Sequence, residues 1–521
     1  MQLSTVLHRL SAQRNSLIVM GGFILSRITG LIRDIVASYY FGTSAEMAAY
    51  GAAISTVDLL YLVIIGGALG SSFIPVFIEL WEREHPVRAW ELAGAVVTWA
   101  LIILGVASAI LFLAAPWLVP LLYGGEGVSS ATLDLIVALT RLFLLSPLLL
   151  GLGGLAMAAL NARDRFTMPA LAPSIYNLGI TAGALCAPWL GIWGMAWGVV
   201  IGALGYLCIQ IPALRDLGMH LRPHLGRHLP ELGRVARAMG PRVIGQAAAH
   251  LSIVATLALA ARLPDGDAKL AGLRWAYQLM LLPYGVFALS LSTVAFPRLA
   301  RLVAEGQLPE LMDDVRATLG RILWLTLPAT AALITLGPAL ARVLFERGAF
   351  DAVSLQYTAA ALTGYAFALP AFAASEIMIR TFYAMQRTWP PVLIGLMQVA
   401  INITLGMVLL ARGGDIGSLA IAFSMANSIE ALLLAMVLRR HLPGIWYAPD
   451  LWKRMISALF SSVVIGLGWW YMRELIPGAT PFSAYRWPDD LPGLLIGLIG
   501  LGGGGAALYV LFEGIRRRFA R

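Results

Sequence analysis

Apolar residues in this chain neither alternate nor recur every three to four positions. They come in continuous runs of roughly 20 residues or more, fourteen in all, separated by short polar connections. A run of that length that is apolar on every side predicts a helix across a bilayer, because a helix satisfies its own backbone N–H and C=O groups where no water can. The predicted fold class is an all-α polytopic membrane protein with about 14 transmembrane helices. The connections alternate in character. Basic residues occupy the N-terminal tail (Arg9, Arg14) and then every second loop: Arg83 and Arg88; Arg163 and Arg165; Arg215, Arg222, Arg227, Arg234 and Arg237; Arg298, Arg301 and Arg316; Arg387; Arg439, Arg440, Lys453 and Arg454; and the tail from Arg516 to Arg521. The loops between are poor in basic residues, as in Thr43 to Met47 and Gly124 to Ser130, or offset them with acids, as Asp265 and Asp267 do near Lys269. Positive loops stay inside, so both termini are expected in the cytoplasm and the chain in the bacterial inner membrane. The first run is interrupted by Arg27 and Arg33 and is not read as a signal peptide.

The pattern also repeats. Phe73-Ile74-Pro75 is answered by Ala295-Phe296-Pro297, Leu122-Tyr123 by Leu344-Phe345, and Arg165 to Pro169 by Arg387 to Pro391, each pair 222 residues apart. Met20-Gly21 and Met239-Gly240, and Gly194 and Gly417, match with slips of a few residues. An even number of spans per repeat preserves orientation, so two pseudo-symmetric six-helix bundles related by an axis along the membrane normal are expected, with a site between them. The expected divisions are an N-terminal bundle over 15–216, a C-terminal bundle over 238–441, and two additional spans over 450–515. Such an architecture suits a transporter that rocks one bundle against the other.

Composition agrees with the pattern. The chain is 59% hydrophobic and 12% charged, with mean hydropathy +0.79, where a soluble protein carries about a quarter charged residues. The net charge of +9 is mostly the inside bias of the loops; it favours anionic lipid headgroups and does not point to nucleic acid. Cys186 and Cys208 both fall in spans and read as small core hydrophobes, and His220, His224 and His228 share a loop broken by Pro223 and Gly226, which favours a solvated connection over a metal site. No nucleophile and base arrangement, phosphate-cradling loop or metal cluster is legible, so no enzyme and no cofactor is expected.

Polar side chains inside spans are costly, and each is a candidate for function. The strongest cluster is Ser26-Arg27-Ile28-Thr29-Gly30-Leu31-Ile32-Arg33-Asp34 in span one. At about 100° per residue, Arg27 and Asp34 fall on nearly one face two turns apart, with Arg33 about 120° round. Two guanidiniums against one carboxylate leave a cation to bind phosphate oxygens, with Asp34 fixing the rotamers. Asp58 on span two, Gln246 and His250 on span seven, and Arg274 with Gln278 on span eight complete the candidate substrate-binding set. Arg141, Glu376 with Arg380, and Glu430 are expected in structural roles or as partners of these cations.

Three stretches carry a resemblance. They are Ser26-Arg27-x-x-Gly30-x-x-Arg33-Asp34; Leu160-Asn161-Ala162-Arg163-Asp164-Arg165-Phe166-Thr167-Met168-Pro169-Ala170-x-Ala172-Pro173-x-x-x-Asn177; and Gly285-Val286-x-x-Leu289-x-x-x-Thr293-x-x-x-Pro297. Together they resemble the MviN/MurJ family of lipid II flippases, over essentially the whole chain. The resemblance implies the multidrug/oligosaccharidyl-lipid/polysaccharide exporter fold. It also implies a cargo of undecaprenyl-pyrophosphate disaccharide-pentapeptide moved to the outer leaflet for peptidoglycan synthesis, and a cavity lined by Arg27 and Arg33. It implies a groove for the lipid tail between spans thirteen and fourteen. The chain departs from the family in lacking a span-two arginine, having Tyr61 and Leu62 there, and in having Gln278 where a span-eight arginine is usual; Arg274, one turn away, is expected to replace the latter. Ala48 stands where an acid is common, with Glu46 close by, and span seven lacks the carboxylate some members use for sodium, while span eleven offers Gln398 and Asn402.

A pyrophosphate cannot cross hydrocarbon unaided, whereas a cationic, hydrated cavity replaces its solvation while the polyprenyl tail stays in lipid. The energy is expected from the membrane potential, a monovalent cation gradient or downstream consumption; one charge through 100 mV supplies roughly 2.3 kcal/mol. The expected partners are an anionic polyprenyl-pyrophosphate glycolipid, membrane lipids and the cell-wall synthesis machinery. Two other readings stand beside this one: an exporter of another polyprenyl-linked oligosaccharide, and a non-transporting envelope scaffold.

Overall fold

The computed structural model describes residues 2–64, 68–83, 86–226 and 228–475, which are helical with no strand among them. In the first half, α1 (Gln2–Phe41) is followed by α2 (Ala45–Ile64), α3 (Ala68–Arg83), α4 (Pro86–Tyr123), α5 (Ser130–Phe143), α6 (Leu145–Asn161), α7 (Thr167–Leu185), the single turn α8 (Ala187–Leu190), α9 (Ile192–Cys208) and α10 (Ile211–Asp216). After α11 (Pro230–Ala260) come α12 (Gly266–Pro283), a π-helical segment (Tyr284–Leu289), α13 (Ser290–Ala304), α14 (Leu308–Phe345), α15 (Ala352–Ala366), α16 (Leu369–Ala384), α17 (Trp389–Ala411), α18 (Ile416–His441) and α19 (Pro449–Leu475). Seven of these helical stretches are each long and apolar enough to cross a membrane, and α15 with α16, bent by 49°, makes an eighth as a broken span. The thirteenth expected span coincides with α19; the fourteenth, with residues 476–521, lies outside the described residues, as do the side chains of Tyr61 and Leu62.

The tail expected before span one is helical from Gln2, because residues 2–20 contain neither Gly nor Pro to interrupt the helix. Breaks elsewhere have local causes. Pro147 and Pro370 stand near the starts of α6 and α16, and Pro283, which lacks an N–H, precedes the π segment.

The chain forms two compact units, Met1–Val254 and Ala255–Arg521. Their helices keep the sequence offset: α5 and α15 begin at 130 and 352, and α7 and α17 at 167 and 389, each pair 222 apart. Left-handed residues follow the same rule. Asp164 (φ 55°) and Gln386 (φ 56°) close equivalent turns, in which Arg165 N donates to Leu160 O and Arg387 N to Phe382 O. Gly191 (φ 56°) and Gly413 (φ 82°) are likewise 222 apart and occupy a region most side chains avoid.

Within the first unit, α1 packs on α7, α7 on α9, and α2 on α5; within the second, α17 packs on α18, α12 on α15, and α14 on α19. The α7–α9 contact is made of backbone. A Cβ placed on Gly198 would lie 2.7 Å from Gly179 O, and one on Gly202 would lie 2.6 Å from Tyr176 O. Where lipid is as apolar as leucine, such small-residue seams allow the close van der Waals approach that holds helices together. The outward faces are the reverse of a soluble protein's: α4 exposes Ile103, Val106, Ile110, Leu113 and Trp117 while burying Ala89, Gly94, Ala95 and Ser108.

Candidate functional site

The span-one cluster is held by α1 and α7. Arg33 donates from Nε and Nη2 to Asp34 Oδ1 at 2.9 and 2.8 Å, and from Nη1 to Asn177 Oδ1 at 2.9 Å. Asn177, on α7 and 7% exposed, returns its Nδ2 to Ser26 O at 3.0 Å and reaches Thr29 Oγ1 at 3.4 Å. The amide thus bridges the helix backbone one turn before Gly30 to the arginine one turn after it. Gly30 faces this amide, and a Cβ there would stand in van der Waals contact with it, 3.4 Å from Asn177 Nδ2. Asp34, which the sequence pattern puts on the face of Arg27, forms an ion pair with the adjacent Arg33, whose long guanidinium side chain reaches round the helix to the short carboxylate.

Three of the five N–H groups of Arg33 are engaged by these partners, which lock the fork and leave two for a ligand. Arg33 and Asp34 are 15% and 13% exposed, so the fork is mostly desolvated yet reachable. Arg27 lies half-buried one helical face away, its guanidinium 5.0 Å from the centre of the Phe23 ring. Two guanidiniums with one carboxylate give this part of α1 a net charge of +1, on a rigid element and in low dielectric. That is the chemistry of an anion site for phosphate oxygens.

The other expected residues are distributed. Asp58 on α2 and His250 on α11 are half-buried in the first unit; Arg274 and Gln278 are half-buried on α12 in the second. The side chain of Gln246 lies outside the described residues. Asn177 was quoted in the sequence motif but not counted as a site residue, because nothing local says that α7 delivers it to α1. The second unit carries an echo without the charge: Asn402 on α17 donates to Thr256 Oγ1 on α11 at 2.9 Å, where the neighbouring residues are Ala258 and Ala260.

The residues expected in structural roles are tied within their units. Arg380 Nε donates to Glu376 Oε1 at 2.7 Å, and Tyr284 to Glu376 Oε2 at 3.0 Å. Arg141 donates to Phe112 O at 3.2 Å and lies over the Phe112 ring at 4.7 Å. The histidine loop is not wholly solvated: His224 packs on α4 through Glu91 O at 2.9 Å and receives Gly226 N at 3.0 Å. No group of three metal-ligating side chains occurs among the described residues.

Comparisons with known proteins bear on the family and the fold. The family model for lipid II flippase MurJ matches residues 37–485. A probable lipid II flippase MurJ of Bdellovibrio bacteriovorus is 30% identical over 440 residues, 83% of each chain. The lipid II flippase MurJ of Burkholderia cenocepacia is 27% identical over 464 residues, 87% of this chain and 88% of its own. Among solved structures, a lipid II flippase MurJ in an inward closed conformation superposes with a TM-score of 0.77 at 24% identity, covering 97% of this chain and 100% of its own. An inward-facing multidrug resistance MATE family transporter of the MOP superfamily gives 0.67 at 11% identity, over 81% and 96% of the two chains. The match along most of the chain shows that this multi-pass membrane protein belongs to the lipid II flippase MurJ family.

Proposed function

We propose that this protein is a flippase that carries a lipid-linked peptidoglycan precursor, undecaprenyl-pyrophosphate disaccharide-pentapeptide, from the inner to the outer leaflet by alternating access. The observation that carries the reading is the Arg33 fork, pre-oriented by Asp34 and Asn177 and accompanied by Arg27, on the first helix of a family member. Binding a pyrophosphate replaces the lost hydration with charge-assisted hydrogen bonds, while a donor set locked beforehand spends little entropy on capture. Arg27 and Arg33 hold the pyrophosphate, with Asp34 orienting the Arg33 fork; Asp58, Gln246, His250, Arg274 and Gln278 contact the remainder of the headgroup. The two six-helix repeats, 15–216 and 238–441, rock about this cargo, and 450–515 receives the polyprenyl tail.

Both termini face the cytoplasm, as the alternation of basic loops requires. The protein is a transporter and performs no covalent chemistry; transport draws on the membrane potential or a monovalent cation. It works beside the enzymes that polymerise the delivered precursor. The test is complementation of a bacterium depleted of its own flippase. Growth and restored lipid II export with the wild-type chain, and neither with Arg33→Ala at equal abundance, is the expected result. Failure of the wild-type chain to restore export would turn the assignment toward another polyprenyl-linked oligosaccharide.

A further inference from the structure

In the second unit, α16 beyond its first turn has a half-exposed stripe, Phe372, Glu376, Ile379, Arg380 and Tyr383, while Ala373, Ala374, Ser375, Ile377, Met378, Thr381 and Phe382 are buried. The side chains of Glu376 and Arg380 are each 22% exposed. Lipid-facing positions elsewhere are apolar, as on α4, so a half-exposed ion pair in the second half of a broken span faces water or cargo. The pair is braced. Glu376 spends one oxygen on Arg380 Nε and the other on the Tyr284 hydroxyl, which the π-helical segment after Pro283 brings to it. The Tyr284 ring in turn lies 4.6 Å from Phe372, one turn before Glu376. Both terminal nitrogens of Arg380 make no hydrogen bond among the described residues.

We propose that Arg380, held by Glu376 and Tyr284 and flanked by the Tyr284–Phe372 ring pair, is a second cargo-binding site that takes the uncharged polar part of the headgroup, the hydroxyls and amide carbonyls of its sugars and peptide. This rests on the flippase reading above. The charge count separates the two sites. The cluster on α1 carries two guanidiniums against one carboxylate, whereas Arg380 is matched by Glu376, so an incoming anion meets no net positive charge. The two terminal nitrogens remain four well-oriented donors for neutral oxygen acceptors, and adjacent aromatic faces offer apolar contact to the C–H faces of a sugar ring. A few convergent polar groups set against aromatic side chains are what fix the orientation of an uncharged ligand.

The test compares two lipids on the purified full-length protein: polyprenyl pyrophosphate bearing the disaccharide-pentapeptide, and the same polyprenyl pyrophosphate without it. Arg380→Gln is expected to weaken binding of the first about tenfold, a loss of about 1.4 kcal/mol, and to change the second less than about twofold. Arg33→Gln is expected to weaken both. Should Arg380→Gln fold poorly, the double change of Glu376→Gln with Arg380→Gln, which leaves no unpaired carboxylate, is read in the same way. Equal weakening of both lipids by the Arg380 variants, or none, overturns the site while leaving the flippase reading intact. If the wild-type protein binds neither lipid, the flippase reading fails and this site with it.

Discussion

Changing Asn177 to Asp isolates the electrostatic part of the anion site, because it alters one atom of a side chain that already touches Arg33. The wild-type amide accepts from Arg33 Nη1 at 2.9 Å and donates to Ser26 O at 3.0 Å. An aspartate keeps the first contact and strengthens it, but brings the local count of Arg27, Arg33 and Asp34 from +1 to zero. A new negative charge about 7 Å from a bound phosphate, at an effective dielectric of about 20, costs roughly 2.4 kcal/mol, or about fiftyfold in affinity. The lost bond to Ser26 O costs about 1 kcal/mol of stability on its own, offset in part by the tighter pairing with Arg33. Asn177→Ala is the control. It deletes these contacts and the one to Thr29 Oγ1, is expected to destabilise the α1–α7 seam by about 2 kcal/mol, and leaves the net charge unchanged, so its loss of affinity is smaller than that of Asn177→Asp. Binding of a pyrophosphate lipid to purified protein, read with thermal unfolding, measures both quantities. If Asn177→Asp binds as tightly as wild type, or more weakly only in proportion to its stability, the α1 cluster is a structural brace and not an anion site.

Arg27→Ala is expected to abolish flipping in reconstituted vesicles with abundance near normal, and Arg27→Lys to recover only part, since a point charge does not reproduce a bidentate fork. Arg274→Gln is expected to impair transport, and adding Gln278→Arg to restore part of it, because the two positions lie one turn, about 6 Å, apart; no recovery at normal expression would leave α1 as the sole cationic arm. Gly198→Val drives a side chain into Gly179 O across the α7–α9 seam and is expected to cost at least about 1–3 kcal/mol, seen as a lower unfolding temperature and reduced abundance; wild-type stability would show that the seam is loose. A cysteine introduced beside Arg163 or Arg227 is expected to resist a membrane-impermeant thiol reagent applied from outside, and labelling there would reverse the topology.

Much of the architecture was legible because the bilayer imposes it residue by residue. Continuous apolar runs, basic loops and paired prolines are local properties, and a repeat of 222 residues survives as matching helix starts and matching left-handed turns at Asp164 and Gln386. Span-one chemistry was legible for the same reason: Arg27 and Arg33 are conspicuous wherever they sit in an apolar helix. What the tertiary structure decided was which groups meet. Asn177 lies 144 residues beyond Arg33, and only the packing of α7 on α1 makes it the arginine's partner. Tyr284 reaches Glu376 through a π-helical turn that no periodicity announces, turning an ion pair spaced like any helix-surface pair into a braced fork. Spacing along one helix is written in the sequence; contacts between helices depend on how close small residues let their backbones come, and that is settled only when the whole unit packs.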